Sequence, residues 1–567
     1  MKKFYMFFVV MFFAVGAFAN TLSKIASFEV GNFPRGIAIA DFNGDGRNEV
    51  AVVNFGAGTL IGQNTTVQPE SSISIYKEDG TKVALTAGKA PRGAAAGDFN
   101  DDGKSDLVVS NYDDGNIMTF VQENGNLVMT DTLSVGNHPV GVTTGDFDKN
   151  GRTDIAVAVY SDNKVVIFLN QLKGGWEKVD FPVEGSPTDV VFGTINDIPV
   201  LVSANYTAGT VSVMKMEAGL VKKVQEIASG GGVCKVEVAD VTGDGINDII
   251  AANFFDNSIA VIKGLTNGTF EDKAEIIKLA GERPNGLAVG DINGDTLLDV
   301  VTANRDSDSI DVLVQKSGKL ELVKTFVVTK DDTKTYGPVE VVCGDVNNDG
   351  MTDIAFTHMR TNTFKVIYQE LPASPEISST THPDQNSWYA DWAPVLNMTA
   401  TDDLTGVESF AYTLAKNESD FSKASAKVTT ESSVKFTGLE TGTWYFSAVA
   451  KDIAGHTSLK PTIFKINITT DMNEKNVYNY PNPVTGAETT IRFPSTGNED
   501  VRIEIKDSVS NKLVWKKVIS KENLVKGVNT VKWELKNDLG ANISNGTYIC
   551  TVISGKKAIS KPISIIR

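Results

Sequence analysis

The sequence predicts an all-β chain: a seven-bladed β-propeller followed by two smaller β-sandwich domains. Three observations carry this. A nine-residue acidic segment recurs six times in one phase: residues 41–49 (DFNGDGRNE), 98–106 (DFNDDGKSD), 146–154 (DFDKNGRTD), 240–248 (DVTGDGIND), 291–299 (DINGDTLLD) and 345–353 (DVNNDGMTD). Each sits in a unit of about fifty residues holding four short strand-like runs divided by turn residues. The ends are complementary: the seventh unit stops after its third strand at residues 364–369, and a lone strand at residues 24–30 matches a fourth strand. It can complete the last blade and cover both exposed sheet edges.

In chain order, Lys2 and Lys3 come first, then an apolar run over residues 4–18 and the triplet Ala17-Phe18-Ala19. That is the pattern of a cleaved export signal, residues 1–19, with cleavage before Asn20. The run is short for a membrane span and no second span follows, so no transmembrane segment is expected after its removal.

The acidic segments start 57, 48, 94, 51 and 54 residues apart. The double gap predicts a hidden unit, and residues 187–206 (PTDVVFGTINDIPVLVSANY) supply it, with Thr194 in place of the first Asp and a shortened loop. Each unit opens on a Pro turn: Pro34, Pro91, Pro139, Pro187, Pro284 and Pro338, with Val233 standing in the fifth. An apolar strand, the acidic loop, a second β-rich strand, a third strand after an Asn/Asp/Gly turn and a more polar fourth strand follow. A linear β-solenoid explains neither the four-strand units nor the complementary ends.

The 567 residues carry 53 basic and 70 acidic side chains, a formal charge of -17. This disfavours nucleic acid as a partner, whose binding needs a basic footprint. Cys234, Cys343 and Cys550 are odd in number and widely spaced, so they read as small buried hydrophobes rather than a disulfide framework or zinc site.

Each acidic loop places Asp or Asn oxygens at alternate positions, then a Gly turn and a final carboxylate. A hard cation such as Ca²⁺ takes such a donor set. Plain Asx turns are the structural alternative, since the same residues build turns without metal. Six loops that keep the first and last carboxylate favour the ion. In loops and strands, residues 20–371 resemble the FG-GAP/VCBS-type repeats of integrin α-subunit-like β-propellers. The resemblance implies Ca²⁺ at the first hairpin of each blade, with a mainly structural role. The ligands it implies are Asp41, Asn43, Asp45 and Glu49; Asp98, Asn100, Asp102 and Asp106; Asp146, Asp148, Asn150 and Asp154. Further along they are Asp240, Asp244 and Asp248; Asp291, Asn293, Asp295 and Asp299; Asp345, Asn347, Asp349 and Asp353. In the sixth unit Thr296 replaces the loop Gly, where a β-branched side chain resists the conformation needed.

The acidic loops join strand one to strand two, so the Pro turns and the strand-two ends belong on the opposite face. A second recurrence lies there: Asn54-Phe55, Asn111-Tyr112, Val159-Tyr160, Asn205-Tyr206, Asn253-Phe254, Asn304-Arg305 and His358-Met359. The Pro turns add Arg35, Arg92, His138 and Arg283, and an insertion at residues 55–72 adjoins them. The expected ligand face is a ring of Arg35, Asn54, Arg92, Asn111, Tyr112, His138, Tyr160, Tyr206, Asn253 and Arg305 around the channel mouth. Aromatics and amides suit glycans, and arginines suit acidic groups. The structural alternative is that the Asn side chains cap their own turns and the aromatics pack between blades.

After a Pro-bearing linker at residues 371–375 the pattern changes. Residues 376–470 hold alternating strands: Tyr445, Ser447 and Val449 point one way, and Phe446, Ala448 and Ala450 the other, as a sandwich strand requires. The segments TDDLTGVESFAYTL and WYFSAVAKDIAGH resemble bacterial immunoglobulin-like or fibronectin-III-like modules; Trp388 and Trp392 are expected in core or inter-domain packing. Residues 476–567, with Tyr480-Pro481-Asn482-Pro483 and Asn545-Gly546-Thr547-Tyr548, are similar to the FlgD-like immunoglobulin domain and the related C-terminal sorting domain of type IX secretion. That resemblance implies a partner in an export machinery and a place outside a bacterial cell or on its outer surface.

Three functions fit: a non-catalytic adhesion or ligand-binding protein for an extracellular glycan or protein, a polysaccharide-active enzyme with its site in the propeller channel, or a structural spacer of a surface layer. Only four histidines exist (His138, His358, His382 and His456), and no GxSxG, HExxH or SxDxGxxW motif occurs. No catalytic residue or organic cofactor is therefore expected, and binding is the first reading.

Overall fold

The computed structural model describes residues 25–566 apart from 57–70, 78–79, 172–173, 218–219, 329–336, 370, 390–392, 402–406, 424, 453–455, 470–471 and 473–475. The expected export signal, Trp392 and most of the 55–72 insertion lie outside these residues. The chain divides into two compact units, residues 1–370 with 403–405, and residues 371–402 with 406–567.

In the first unit the described residues form seven four-stranded antiparallel sheets. The first runs Pro34–Ala40, Glu49–Asn54, Ser72–Tyr76 and Lys82–Thr86. The same order repeats in the sheets that open at Pro91–Gly97, Pro139–Gly145, Pro187–Ile195, Val233–Ala239 and Pro284–Gly290. The last sheet holds Pro338–Gly344, Asp353–His358 and Thr363–Ile367, and its fourth strand is the N-terminal Ile25–Glu29. Ile25 lies opposite Ile367 and Glu29 opposite Thr363, the pairing the complementary ends predict. First strands pack on first strands from sheet to sheet, and Pro338–Gly344 packs back on Pro34–Ala40. The arrangement is a closed, multi-bladed, propeller-like ring.

The second strands show why the sheets sit face to face. Glu49–Asn54, Asp106–Asn111, Asp154–Val159, Asp248–Asn253, Asp299–Asn304 and Asp353–His358 are buried at every position. Their continuous apolar runs have no outward face, because a neighbouring sheet covers each side. Each fully buried Val or Ile contributes about 1.5–3 kcal/mol. The fourth strands, such as Lys82–Thr86, are largely exposed and correspondingly polar. In the fourth sheet Asn196 (φ 48°) and Asp197 (φ 61°) form a two-residue turn between Ile195 and Ile198, which replaces the acidic loop.

All seven first strands shift register just after the turn that opens them: between Pro34 and Ile37, Pro91 and Ala94, Pro139 and Val142, Pro187 and Asp189, Val233 and Lys235, Pro284 and Gly286, and Pro338 and Glu340. Such bulges re-aim the residues they displace. Glycine is required beside two of them: a Cβ on Gly36 would lie 2.7 Å from the Arg92 carbonyl oxygen, and one on Gly93 2.4 Å from that of Val140.

The second unit holds two pairs of sheets. Glu376–Ser379, Val395–Thr399 and Ser433–Lys435 form one sheet of the first pair. Trp388–Tyr389, Thr462–Ile468, Gly442–Asp452, Val407–Ala415 and Lys427–Thr429 form the other. Phe446, Ala448 and Ala450 enter their shared core as the alternation predicts, whereas Trp388 is 45% exposed rather than packed. The second pair joins Tyr478–Tyr480, Thr489–Ser495 and Gly527–Trp533 to a four-stranded sheet of Val501–Asp507, Leu513–Ile519, Gly546–Ser554 and Lys557–Ile565. Its core is built on Trp533 and includes Cys550.

Ring closure rests on one exchanged strand. Deleting residues 25–29 exposes Thr363–Ile367 as an edge and removes the Phe28–Phe364 ring stack at 4.6 Å. The expected outcome is a lower melting temperature for the first unit with concentration-dependent association, read by calorimetry and light scattering. A monomer with unchanged melting would contradict this account of closure.

Candidate functional site

Two sets of residues were expected to act, and they lie at opposite ends of the first strands. At the loop end, the first carboxylate of each acidic segment organises its own loop. Asp41 Oδ2 accepts from Gly46 N (2.8 Å), Asp98 Oδ2 from Gly103 N (2.8 Å), Asp146 Oδ2 from Gly151 N (2.8 Å), Asp240 Oδ2 from Gly245 N (2.7 Å), and Asp345 Oδ2 from Gly350 N (2.9 Å). The middle positions accept in the same way: Asn43 from Asp45 N, Asn100 from Asp102 N, Asp148 from Asn150 N, Asn293 from Asp295 N, and Asn347 from Asp349 N. Asp45, Asp102, Asn150, Asp244, Asp295 and Asp349 each accept from the N–H two residues on.

The last carboxylate does something the sequence does not reveal. Asp106, Asp154, Asp248, Asp299 and Asp353 are buried, and each bridges backbone N–H groups of two segments, Asp248 accepting a third bond from Thr242 N. One N–H belongs to the second loop residue; the other lies at the end of strand three, as in Gln122 N→Asp106 Oδ1 (2.8 Å) and Gln369 N→Asp353 Oδ1 (3.0 Å). Glu49, longer by one methylene, accepts instead from Phe42 N, Asn43 N and Asn43 Nδ2. These acids pin the loop to the sheet whether or not an ion is bound. Burial foremost pushes Glu49 up to about 7, and Asp154, Asp299 and Asp353 to about 6.

The loops also fit a cation. Oxygens of Asp146, Asp148 and Asp154 lie within 4.8 Å of one another, and Asp291 Oδ1 is buried with no hydrogen-bond partner. All-oxygen donor sets of this kind suit Ca²⁺. The sixth loop carries the foreseen strain. Gly46, Gly103, Gly151, Gly245 and Gly350 sit at φ 79–86°, and Thr296 is held at φ 70° in the same place.

At the other end, residues from all seven first strands line a cavity of about 680 Å³ on the ring axis. The displaced residues at the bulges form its wall. Arg35, Arg92, Tyr112, Tyr160, Tyr206 and Arg305 of the expected ligand face line it, together with Phe254. Asn54, Asn111 and Asn253 do not. They are fully buried and bond away from the cavity: Asn54 Nδ2 donates to Ser72 and Ser74, Asn111 Nδ2 to Asn116 Oδ1 and Asn253 Nδ2 to Ser258 Oγ, while Asn253 Oδ1 accepts from Ser229 just before its sheet. The alternative reading holds for the amides. His138 stacks on Tyr112 at 4.3 Å and contacts Ser161 Oγ through Nδ1 (2.7 Å). His358, which could have reached this face, is fully buried and bonds Asp308 Oδ1 (2.8 Å).

The aromatics hold guanidinium groups. Arg35 lies over Phe55 (5.6 Å), Arg92 over Tyr112 (5.2 Å), Arg283 over Phe254 (5.0 Å) and Arg305 over Phe254 (4.6 Å). Arg283 and Arg305 also share Asp306. Burial, then Arg92 and Arg305, pulls Arg35 down to about 9, so it stays charged at neutral pH. The sequence reading missed the charges deeper in the cavity. Lys235 Nζ pairs with Asp189 Oδ1 (3.2 Å) and Glu340 Oε1 (3.1 Å), and Glu237 lines the same wall. Burial, with Asp189 and Glu340 adding, pushes Glu237 up to about 8. Cys234 also lines the cavity; burial holds its thiol up at about 12, so it is inert.

FG-GAP-like repeats match residues 98–157, 240–302 and 291–356, which include five of the six acidic loops. The chain is thus a multi-bladed, propeller-like all-β protein that carries FG-GAP-like repeats. It is similar to the solved structure of a functionally unknown protein from Desulfotomaculum acetoxidans DSM 771, with 15% identity over 52% of this chain and 88% of that one and a TM-score of 0.40. It is also similar to the periplasmic gluconolactonase PpgL of Pseudomonas aeruginosa, with 15% identity over 54% and 97% and a TM-score of 0.39. No curated protein matches.

Two outcomes are expected at the loop end. Thr296→Gly removes a left-handed β-branched residue, and a Cβ at the equivalent glycines meets nothing within 4 Å, so the strain is in the backbone alone. The substitution is expected to raise stability by about 1 kcal/mol; a loss on chemical denaturation would refute the strain. The second concerns pH. Glu49, Asp154, Asp299 and Asp353 titrate higher folded than unfolded, so their stabilisation is complete below the unfolded values and lost as pH rises through about 6 to 7. In EGTA the chain is expected to melt higher at about pH 5 than at about pH 8; the reverse order, read by calorimetry, would refute it.

Proposed function

We propose that this chain is an exported, Ca²⁺-binding, seven-bladed β-propeller protein with two C-terminal immunoglobulin-like modules. It binds an extracellular glycan or protein ligand at the channel mouth and does not transform it. The observation that carries the binding role is Arg35, whose Nε is buried at the cavity wall with no hydrogen-bond partner. An unmatched cationic donor in a concave wall supports a binding role.

The convergence of Asp146, Asp148 and Asp154 supports Ca²⁺ as a structural ion. It would neutralise loop carboxylates and stiffen the first hairpins. FG-GAP repeats are commonly extracellular, which suits export, and no helix among the described residues is long and apolar enough to cross a membrane. In this reading residues 1–19 are the export signal, and residues 476–567 are the part addressed by an export machinery of a bacterial outer surface.

A second reading has one observation in its favour. Asp189, Glu237 and Glu340 share the cavity, and Glu237 holds its proton near neutral pH, as a general acid must. Under that reading the chain is a polysaccharide-active enzyme.

A glycan and matrix-protein array, probed with the intact chain with and without EGTA, separates the readings. The expected result is a ligand retained unchanged, with binding lost in an Arg35→Gln/Arg92→Gln variant that keeps its melting temperature and Ca²⁺ uptake. Binding indifferent to that variant would remove the mouth as the site. Release of shortened glycan would make the chain an enzyme.

A further inference from the structure

We infer that the ligand of the channel mouth is a saccharide bearing a carboxylate or a sulfate, with its anion seated between Arg35 and Arg92. This rests on the reading of the mouth as a binding site and adds the chemistry of what it binds.

The first ground is unmatched charge. Arg35 and Arg92 have no carboxylate within ion-pair distance among the described residues, and each is held instead over an aromatic ring. A ring face fixes a guanidinium in place but leaves its in-plane N–H donors unused. Burial depresses both side chains and Arg92 adds to the effect on Arg35, while Glu340 offsets part of it in each without reaching ion-pair distance. A planar oxyanion matches such forks with two parallel hydrogen bonds. Four cations line the cavity of a chain with a formal charge of -17, and Lys235 and Arg305 are paired with carboxylates while Arg35 and Arg92 are not.

The second ground is the wall below. There the sign reverses: Asp189, Glu237 and Glu340 outnumber Lys235. A simple anion, or one that is acidic throughout, would meet repulsion on this wall. A ligand with one anionic group and a body dense in hydroxyl donors satisfies both zones, since carboxylates accept from hydroxyls. An acidic peptide could satisfy the arginines but brings few hydroxyls for the acids. The Tyr112 ring, flanked by Arg92 and His138, serves the collar rather than offering a stacking face to a sugar. At the collar, recognition is thus by charge and hydroxyl.

The test is calorimetric titration of the intact chain with four probes: a galactan oligosaccharide ending in one galacturonate, the same oligosaccharide carrying one sulfate instead, their neutral galactan parent and polyglutamate. One of the two acidic saccharides is expected to bind about tenfold or more tightly than the neutral parent, with affinity falling as salt rises. Which of the two wins assigns the oxyanion as carboxylate or sulfate. Arg92→Gln is expected to weaken that binding about tenfold, and Arg92→Lys, which keeps the charge but loses the fork, less. Melting temperature and Ca²⁺ uptake should not change. Equal binding of acidic and neutral saccharides overturns the anion, even with the mouth still the site. Tightest binding of polyglutamate overturns the saccharide. No binding by any probe overturns the inference as a whole, and the array result then stands or falls separately.

Discussion

A four-stranded sheet with apolar side chains on both faces cannot exist alone, and the first unit depends on that constraint. Strand two is buried throughout in six repeats and at all but its first residue in the fourth, so every sheet needs a neighbour on each side, and only a ring supplies one to all of them. Ile25–Glu29 makes the ring possible by completing a sheet whose other three strands lie more than three hundred residues away. Polar contacts lock the same seam: Phe33 N donates to Asn362 Oδ1 (3.0 Å), Thr357 Oγ1 to the Arg35 carbonyl (2.7 Å), and Asn48 Nδ2 to the Asp345 carbonyl (2.9 Å). The seam runs through Arg35, so closing the ring also positions a residue of the candidate site.

The same geometry divides the work between the two ends of each first strand. At one end, hydrogen-bonded carboxylates hold a loop to its sheet through buried, two-pronged contacts. At the other, a residue in the left-handed region precedes the strand in six repeats: Phe33, Ala90, His138, Ser186, Gly232 and Arg283. The bulge that follows pushes side chains onto the axis. Structure at the acidic end is therefore redundant across six similar loops. At the opposite end the displaced residues differ from sheet to sheet: Arg, Arg, Val, Thr, Cys, Asn and Val. A scaffold requirement would make these alike; their diversity within a uniform backbone is what a ligand of definite shape requires.

Much of this was legible in the sequence, for definite reasons. A fixed spacing of charged residues survives translation into structure, so the strand order, the loopless fourth unit and the pairing of residues 25–29 could be read directly. Thr296 was legible because its five counterparts are glycine. The amides at 54, 111 and 253 misled because recurrence alone does not separate a conserved-looking turn bond from a ligand contact: Asn54 reaches its own Ser72 and Ser74, which lie beyond an insertion. Lys235, Asp189 and Glu340 stayed hidden because they are single residues in three different apolar strands. Only the register shifts bring them to one axis, and a shift of one residue leaves no mark in hydrophobic periodicity.

Charge gives the mouth its direction. The chain as a whole is acidic, so the guanidinium collar is a local exception on the cavity wall. In the reading proposed above, an anionic group is drawn to the collar, and the acid wall beneath opposes its going deeper. Attraction at the collar with repulsion beneath it sets the depth of a bound anion more sharply than attraction alone, because moving inward raises the energy. Cation–π contacts suit this arrangement better than salt bridges, since they fix Arg35 and Arg92 without spending the charge that makes the zone attractive.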